Sequence, residues 1–104
     1  MTADRAELER RIASGDPDLV PWGLVDLGVL HVAEGRPAEA EEALRAALET
    51  GHPSQAPRAA FELAMLLEAR GEPEAAAEAY GIVLAGGATE YAGPAVCGMR
   101  RLRQ

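Results

Sequence analysis

Apolar residues recur at three- and four-residue steps along this chain, broken at short intervals by glycine and proline, and each unbroken run predicts an amphipathic helix. Residues 2 to about 14 form the first, with Thr2 as N-cap, Leu8 and Ile12 four apart on one face, and Gly15 as the stop. Asp16-Pro17 opens a second helix that runs to about Glu34, with Gly35 as its left-handed exit. Pro37 starts a third, which ends before Gly51 and carries Glu39, Glu41 and Glu42 near the positive end of its dipole. After the turn His52-Pro53-Ser54, Ser54 caps a fourth helix to Arg70. Gly71-Glu72-Pro73 repeats the earlier turn, and a fifth helix runs to about Ala85, ended by Gly86-Gly87. Thr89 caps a sixth, from Tyr91 or Pro94 to Leu102. Helices joined by turns of about two to five residues run antiparallel to their sequence neighbours, so the fold class is all-α.

The turns and apolar positions also recur at a constant offset of 36 residues. Gly15 falls on Gly51, and Gly87 follows at the same step; Pro17 falls on Pro53, Pro21 on Pro57, Gly35 on Gly71 and Pro37 on Pro73. Leu8 falls on Leu44 and Tyr80. A fixed period of this length marks a stacked array, in which each unit is too small to bury its own apolar face and borrows its neighbour's. Residues 1–104 are expected to form one such domain, with no linker or low-complexity tract.

Composition sharpens the picture. Alanine is the commonest apolar residue and aromatics are only 4%, so the core must be thin and closely approached rather than filled with bulk. A net charge of -7 argues against nucleic-acid binding, which needs a basic face. No stretch approaches the roughly 20 apolar residues of a membrane span. The polar Met1-Thr2-Ala3-Asp4-Arg5 start lacks the core of a signal peptide, and a lone cysteine, Cys97, cannot form an internal disulfide. The expected compartment is the cytoplasm. Lys and Asn are both absent, which points to a GC-rich bacterial genome and carries no mechanism.

In the pattern Leu24-x2-Leu27-Gly28-x2-His31-x3-Gly35-x4-Ala40-x3-Leu44-x2-Ala47, the chain resembles the tetratricopeptide repeat. Leu63-Ala64-x2-Leu67-x3-Gly71-x4-Ala76-x3-Tyr80-x2-Val83 is a second copy. The resemblance implies that Gly28 with Ala40, and Ala64 with Ala76, mark where the paired helices of one repeat cross closest. The period exceeds the family's usual length of about 34 residues, a difference assigned to the longer turn from Gly51 to Pro57. It also raises the related Sel1-like repeat, whose extra glycine-containing turns are missing here. In this register the first helix is the second half of a repeat and the sixth is the first half of another, so two full units are flanked by two halves. Asp4 and Arg11 then stand where the full units have Ala40 and Ala47, and Arg100 stands at the small position of Gly28 and Ala64. Polar residues at such open ends fit the capping that a repeat array needs.

No catalytic constellation is visible, and neither a metal nor a cofactor is expected. Cys97 has no acid or histidine at local spacing and reads as a small buried or half-buried residue. His31 occupies a packing position and reads as a satisfied core or boundary histidine; His52 lies in a turn. The glycines punctuate helices rather than cradle phosphate. Arg100, Arg101 and Arg103 suit a helix C-terminus, the alternative being a grip on an acidic partner tail or on the chain's own acidic middle.

The second helix is unusual in being apolar around most of its circumference. Leu24, Leu27 and Gly28 account for one face; Trp22, Val25, Val29 and Val32 form another stripe. The resemblance places that stripe, with Phe61 and Met65, on a concave surface that takes peptides, with Arg58 and Arg101 at its rim. The plain alternative is that neighbouring helices or the chain's own tail cover it. The sequence therefore predicts a non-enzymatic scaffold that offers an apolar groove to a protein or peptide partner. The alternatives are a self-associating structural protein and an accessory subunit of an enzyme. Val96, Met99 and Leu102 form a seam on the sixth helix that predicts a symmetric homodimer.

Overall fold

The computed structural model describes residues 4–86 and 89–103. Among these are six α-helices and no strand: α1 (Arg5–Ala13), α2 (Leu19–Ala33), α3 (Pro37–Glu49), α4 (Gln55–Ala69), α5 (Pro73–Ala85) and α6 (Thr89–Leu102). Four glycines turn the chain through the left-handed region: Gly15 (φ 71°), Gly35 (74°), Gly51 (69°) and Gly71 (75°). They form two pairs 36 residues apart, so the repeat is present in backbone conformation as well as in sequence. Only glycine enters that region without a steric penalty.

Local hydrogen bonds move some helix starts from their expected places. Asp4 caps α1, its Oδ1 accepting the Glu7 N–H at 2.8 Å; the expected cap Thr2 lies outside the described residues. Asp16 is not inside α2. Its Oδ1 accepts the N–H groups of Asp18 and Leu19 at 2.8 and 3.1 Å, and the helix starts at Leu19. His52 stands 36 residues later and plays the same part, its Nδ1 accepting from the N–H groups of Ser54 and Gln55 at 3.2 and 3.1 Å. The ring nitrogen replaces the carboxylate, and the Ser54 side chain makes no capping bond. α6 starts at Thr89, ahead of Tyr91 and Pro94, and keeps Pro94 inside it. Proline there forgoes one backbone bond of the helix.

Each helix packs on the next in sequence, and α4 also touches both α2 and α6. No corresponding contact links α1 with α3 or α3 with α5 among the described residues. The even-numbered helices thus form a closely spaced inner layer, the odd-numbered ones a splayed outer layer, and the array is 42 Å long and 29 × 24 Å across.

The core between the layers is built on small residues. A Cβ on Gly28 would lie 2.7 Å from the Leu44 side chain, and Ala40, Ala64 and Ala76 are fully buried. These are the close crossings within each repeat. A second set governs the crossings between repeats: Gly23, Ala59 and Ala95, each 36 residues from the next, are all buried. A Cβ on Gly23 would meet Ile12 of α1 at 3.1 Å. Around these points Leu44, Leu63, Leu67, Val83 and Tyr80 are almost wholly buried and supply the apolar bulk. Removing a missing side chain's volume from a crossing lets many weak dispersion contacts accumulate along it.

Candidate functional site

The 36-residue step carries each position of α2 to its counterpart on α4 and then α6, so one face of the inner layer can be read across all three helices. Along it lie Val29, Met65 and Arg101; Trp22, Arg58 and Pro94; Val32 and Glu68; and Val25, Phe61 and Cys97. Val32 is 47% exposed, Met65 46%, Val29 38% and Trp22 36%, values far above those of core residues of similar size. Phe61 is partly buried, its ring 5.4 Å from that of Tyr91 and 6.1 Å from that of Tyr80. Val25 departs from the expected stripe. It is fully buried, because at this point α4 closes over α2, and it supports the face from beneath.

The two expected rim arginines are held by acids of the same layer. Arg58 Nη2 lies 2.8 Å from Asp26 Oδ1, tying α4 to α2. Arg101 donates to both oxygens of Glu68, Nε to Oε2 at 2.8 Å and Nη2 to Oε1 at 3.1 Å, tying α6 to α4. The buried Tyr80 completes the second bridge by donating its hydroxyl to Glu68 Oε1 at 2.7 Å. The Arg101 guanidinium, followed by the Tyr80 hydroxyl, holds the Glu68 carboxyl below its ordinary range. Burial, reinforced by Glu68, pushes the Tyr80 phenol up to about 12, and Glu68 in turn raises Arg101. Both arginines brace the face and are occupied there: Arg101 grips the acidic middle of its own chain, the alternative the sequence offered for it, whereas the helix-by-helix reading missed the role of Arg58. The signal was the repeat step, which sets Arg58 one unit after Trp22 and Asp26 one unit before Glu62.

Glu62 shows what happens when that step breaks. Its counterpart Asp26 pairs with Arg58, but the residue that follows Arg58 by one repeat is Pro94, which has no charge to offer. Glu62 is half-buried without an ion pair among the described residues, and desolvation raises its pKa although Arg58 opposes the shift.

Beside the face lies a cleft of about 930 Å³ between α1 and α2, with Arg58 of α4 also in its lining. Trp22 stands in its wall with the Arg11 guanidinium 3.9 Å from its ring centroid. Arg5 and Glu34, which also line it, pair with each other. His31 is buried as expected but not satisfied: its Nδ1 has no hydrogen bond, with carboxylate oxygens of Glu34 and Glu39 each 3.7 Å away. Cys97 is exposed rather than buried. The expected α6 seam is partly used within the chain. Met99 and Leu102 pack against the core, while Val96 stays 38% exposed.

Among the described residues no group of three metal-ligating side chains is present, and no helix is long and apolar enough to cross a membrane. A model of the tetratricopeptide repeat matches residues 25–90. Comparison with curated proteins and with solved structures returned no match.

Proposed function

Since the chain belongs to the tetratricopeptide repeat family, whose members are typically non-catalytic and generally mediate contact between proteins, we propose that it is a protein-interaction module. Its docking surface is the inner face of α2 and α4, and its occupant is a helix or extended segment of a partner protein. The observation that carries this reading is the exposure of Val29, Val32 and Met65, with Trp22, together on one face of the closely spaced layer. Covering them removes apolar surface from water at about 25 cal/mol/Å². The Arg58–Asp26 and Arg101–Glu68 bridges support the reading by spacing the three helices, so the face is formed before a partner arrives and little ordering cost remains.

Selection of binders from a random peptide library tests this directly. Selected peptides should bind the parent and lose affinity on Val32→Glu and Met65→Glu, while Ile82→Glu, an equally exposed apolar site on the outer helix α5, leaves binding unchanged. Peptides that ignore both inner-face substitutions would overturn it. Trp22 fluorescence, shifting to the blue on binding, gives an independent readout, since the ring is partly open to water.

A further inference from the structure

The cleft beside α1 has the outline of an absent helix. In the first full repeat, α2 rests on α3 through Ala40, Ala43, Leu44 and Ala47, which are all buried. One repeat earlier the same four positions are Asp4, Glu7, Leu8 and Arg11 of α1, and all four line the cleft. The seat also needs a neighbour in the inner layer. For α2 that neighbour is α4, through Arg58, which reaches Asp26; for the cleft it is α2, whose Trp22, one repeat before Arg58, lines it. Among the described residues no helix of this chain fills the seat.

The opposite end of the array has the complementary defect. Leu24, Leu27, Gly28 and His31 turn α2 toward α3, as the approach of Gly28 to Leu44 and of His31 to Glu39 shows. Two repeats later these positions are Val96, Met99, Arg100 and Arg103 on α6. Among the described residues α6 packs only on α5 and α4, and Val96, Arg100 and Arg103 are exposed. One end therefore has a seat without its inner helix, and the other has an inner helix without its seat.

We propose that α6 of one copy docks in the α1–α2 cleft of a second copy, completing a repeat in trans and joining molecules head to tail. Charge selects a second copy as the occupant. Transferred by one repeat, the contact of Gly28 with Ala40 becomes one of Arg100 with the exposed Asp4, while Leu8, the counterpart of Leu44, is already covered within its own chain. The small pair at the cis crossing is thus replaced by a cation on one surface and a carboxylate on the other. Val96 and Met99 follow toward the stem of Arg11, and the basic end of α6 meets Asp4 at the start of α1. An arginine cannot enter a crossing as tight as that of Gly28, where even a Cβ would be 2.7 Å from Leu44. The trans crossing is wider, with the Arg100 side chain laid along the helices to Asp4, so the joint is reversible and sensitive to salt. Because the two surfaces differ, the contact is heterologous, and it propagates into a ring or filament instead of stopping at a pair.

Sedimentation velocity across protein and salt concentration tests this. The parent should grow beyond a dimer as concentration rises and revert toward monomer in high salt. Arg100→Glu and Asp4→Arg should each weaken the joint by roughly tenfold or more, through like-charge contact. An equimolar mixture of the two variants should assemble again, because each joint of an alternating array then brings opposite charges together. Asp4→Asn, which keeps an oxygen to cap α1, should weaken assembly without loss of helical signal and so separates the charge effect from unfolding. A parent that stays monomeric at high micromolar concentration overturns the proposal. So does a mass that saturates at two, or a mixture that fails to recover.

Discussion

At the scale of single residues, burial and charge partners decide what periodicity alone leaves open. The stripe Trp22, Val25, Val29, Val32 is legible from spacing, but spacing cannot tell that α4 closes over Val25 and stops short of Val29. Likewise, Arg58 and Arg101 are visible as cations, whereas their capture by Asp26 and Glu68 depends on where successive inner helices meet. Glu62 gives a direct test of the same logic. Desolvation raises its pKa in the folded protein, so folding favours the protonated form; its relative contribution is fully present at low pH and is lost as pH rises through the folded-state pKa. Glu62→Gln should therefore raise stability at neutral pH, with the gain shrinking toward zero below the carboxylate range, as read from urea unfolding at the two pH values. An equal gain at both would show that packing, not charge, is responsible.

At the scale of helices, the repeat step made the elements readable, and the departures trace to capping chemistry and to proline. Asp16 and His52 bend the chain before their helices begin, and Pro94 suggested a late start for α6 that the backbone does not need. The crossings within each repeat were legible as Gly28 and Ala64; the crossing of α6 on α5 was not, because Gly98 has no glycine at the equivalent position of α2 or α4. It is nevertheless the tightest. A Cβ on Gly98 would lie 2.3 Å from Tyr80 Cζ, in a ring whose hydroxyl is pinned to Glu68, whereas one on Gly28 meets Cγ and Cδ2 of the buried Leu44 at 2.7 Å. Glycine to alanine inside a helix otherwise gains about 1 kcal/mol in propensity. Overpacking costs about 1–3 kcal/mol, and relief is easier at Leu44 than at a fixed ring. Gly98→Ala should be clearly destabilising and Gly28→Ala less so, while Gly28→Leu should cost at least as much as the upper part of that range. Chemical denaturation orders the three, and a reversed order of the two alanine variants would mean that Tyr80 moves freely.

At the scale of the whole molecule, the number of neighbours per helix sets a gradient of stability. Among the described residues α4 is packed by α2, α3, α5 and α6, whereas α1 rests on α2 alone, with one further tie from Arg5 to Glu34. In a linear array each unit's stability is close to its own plus that of its interfaces, so helices with fewer interfaces open first. Native-state hydrogen exchange of the dilute monomer should show α4 amides as the slowest and α1 amides as the fastest among helical ones. A uniform rate across all helices would mean that the array opens only as one unit. The same experiment bears on assembly through a different signature. If a second copy's α6 fills the cleft, α1 gains the inner-layer neighbour it lacks, so at high protein concentration and low salt its protection should rise while that of α4, already enclosed, stays the same. Protection of α1 that does not depend on concentration would leave the seat empty and confine the chain's contacts to the inner face of α2 and α4.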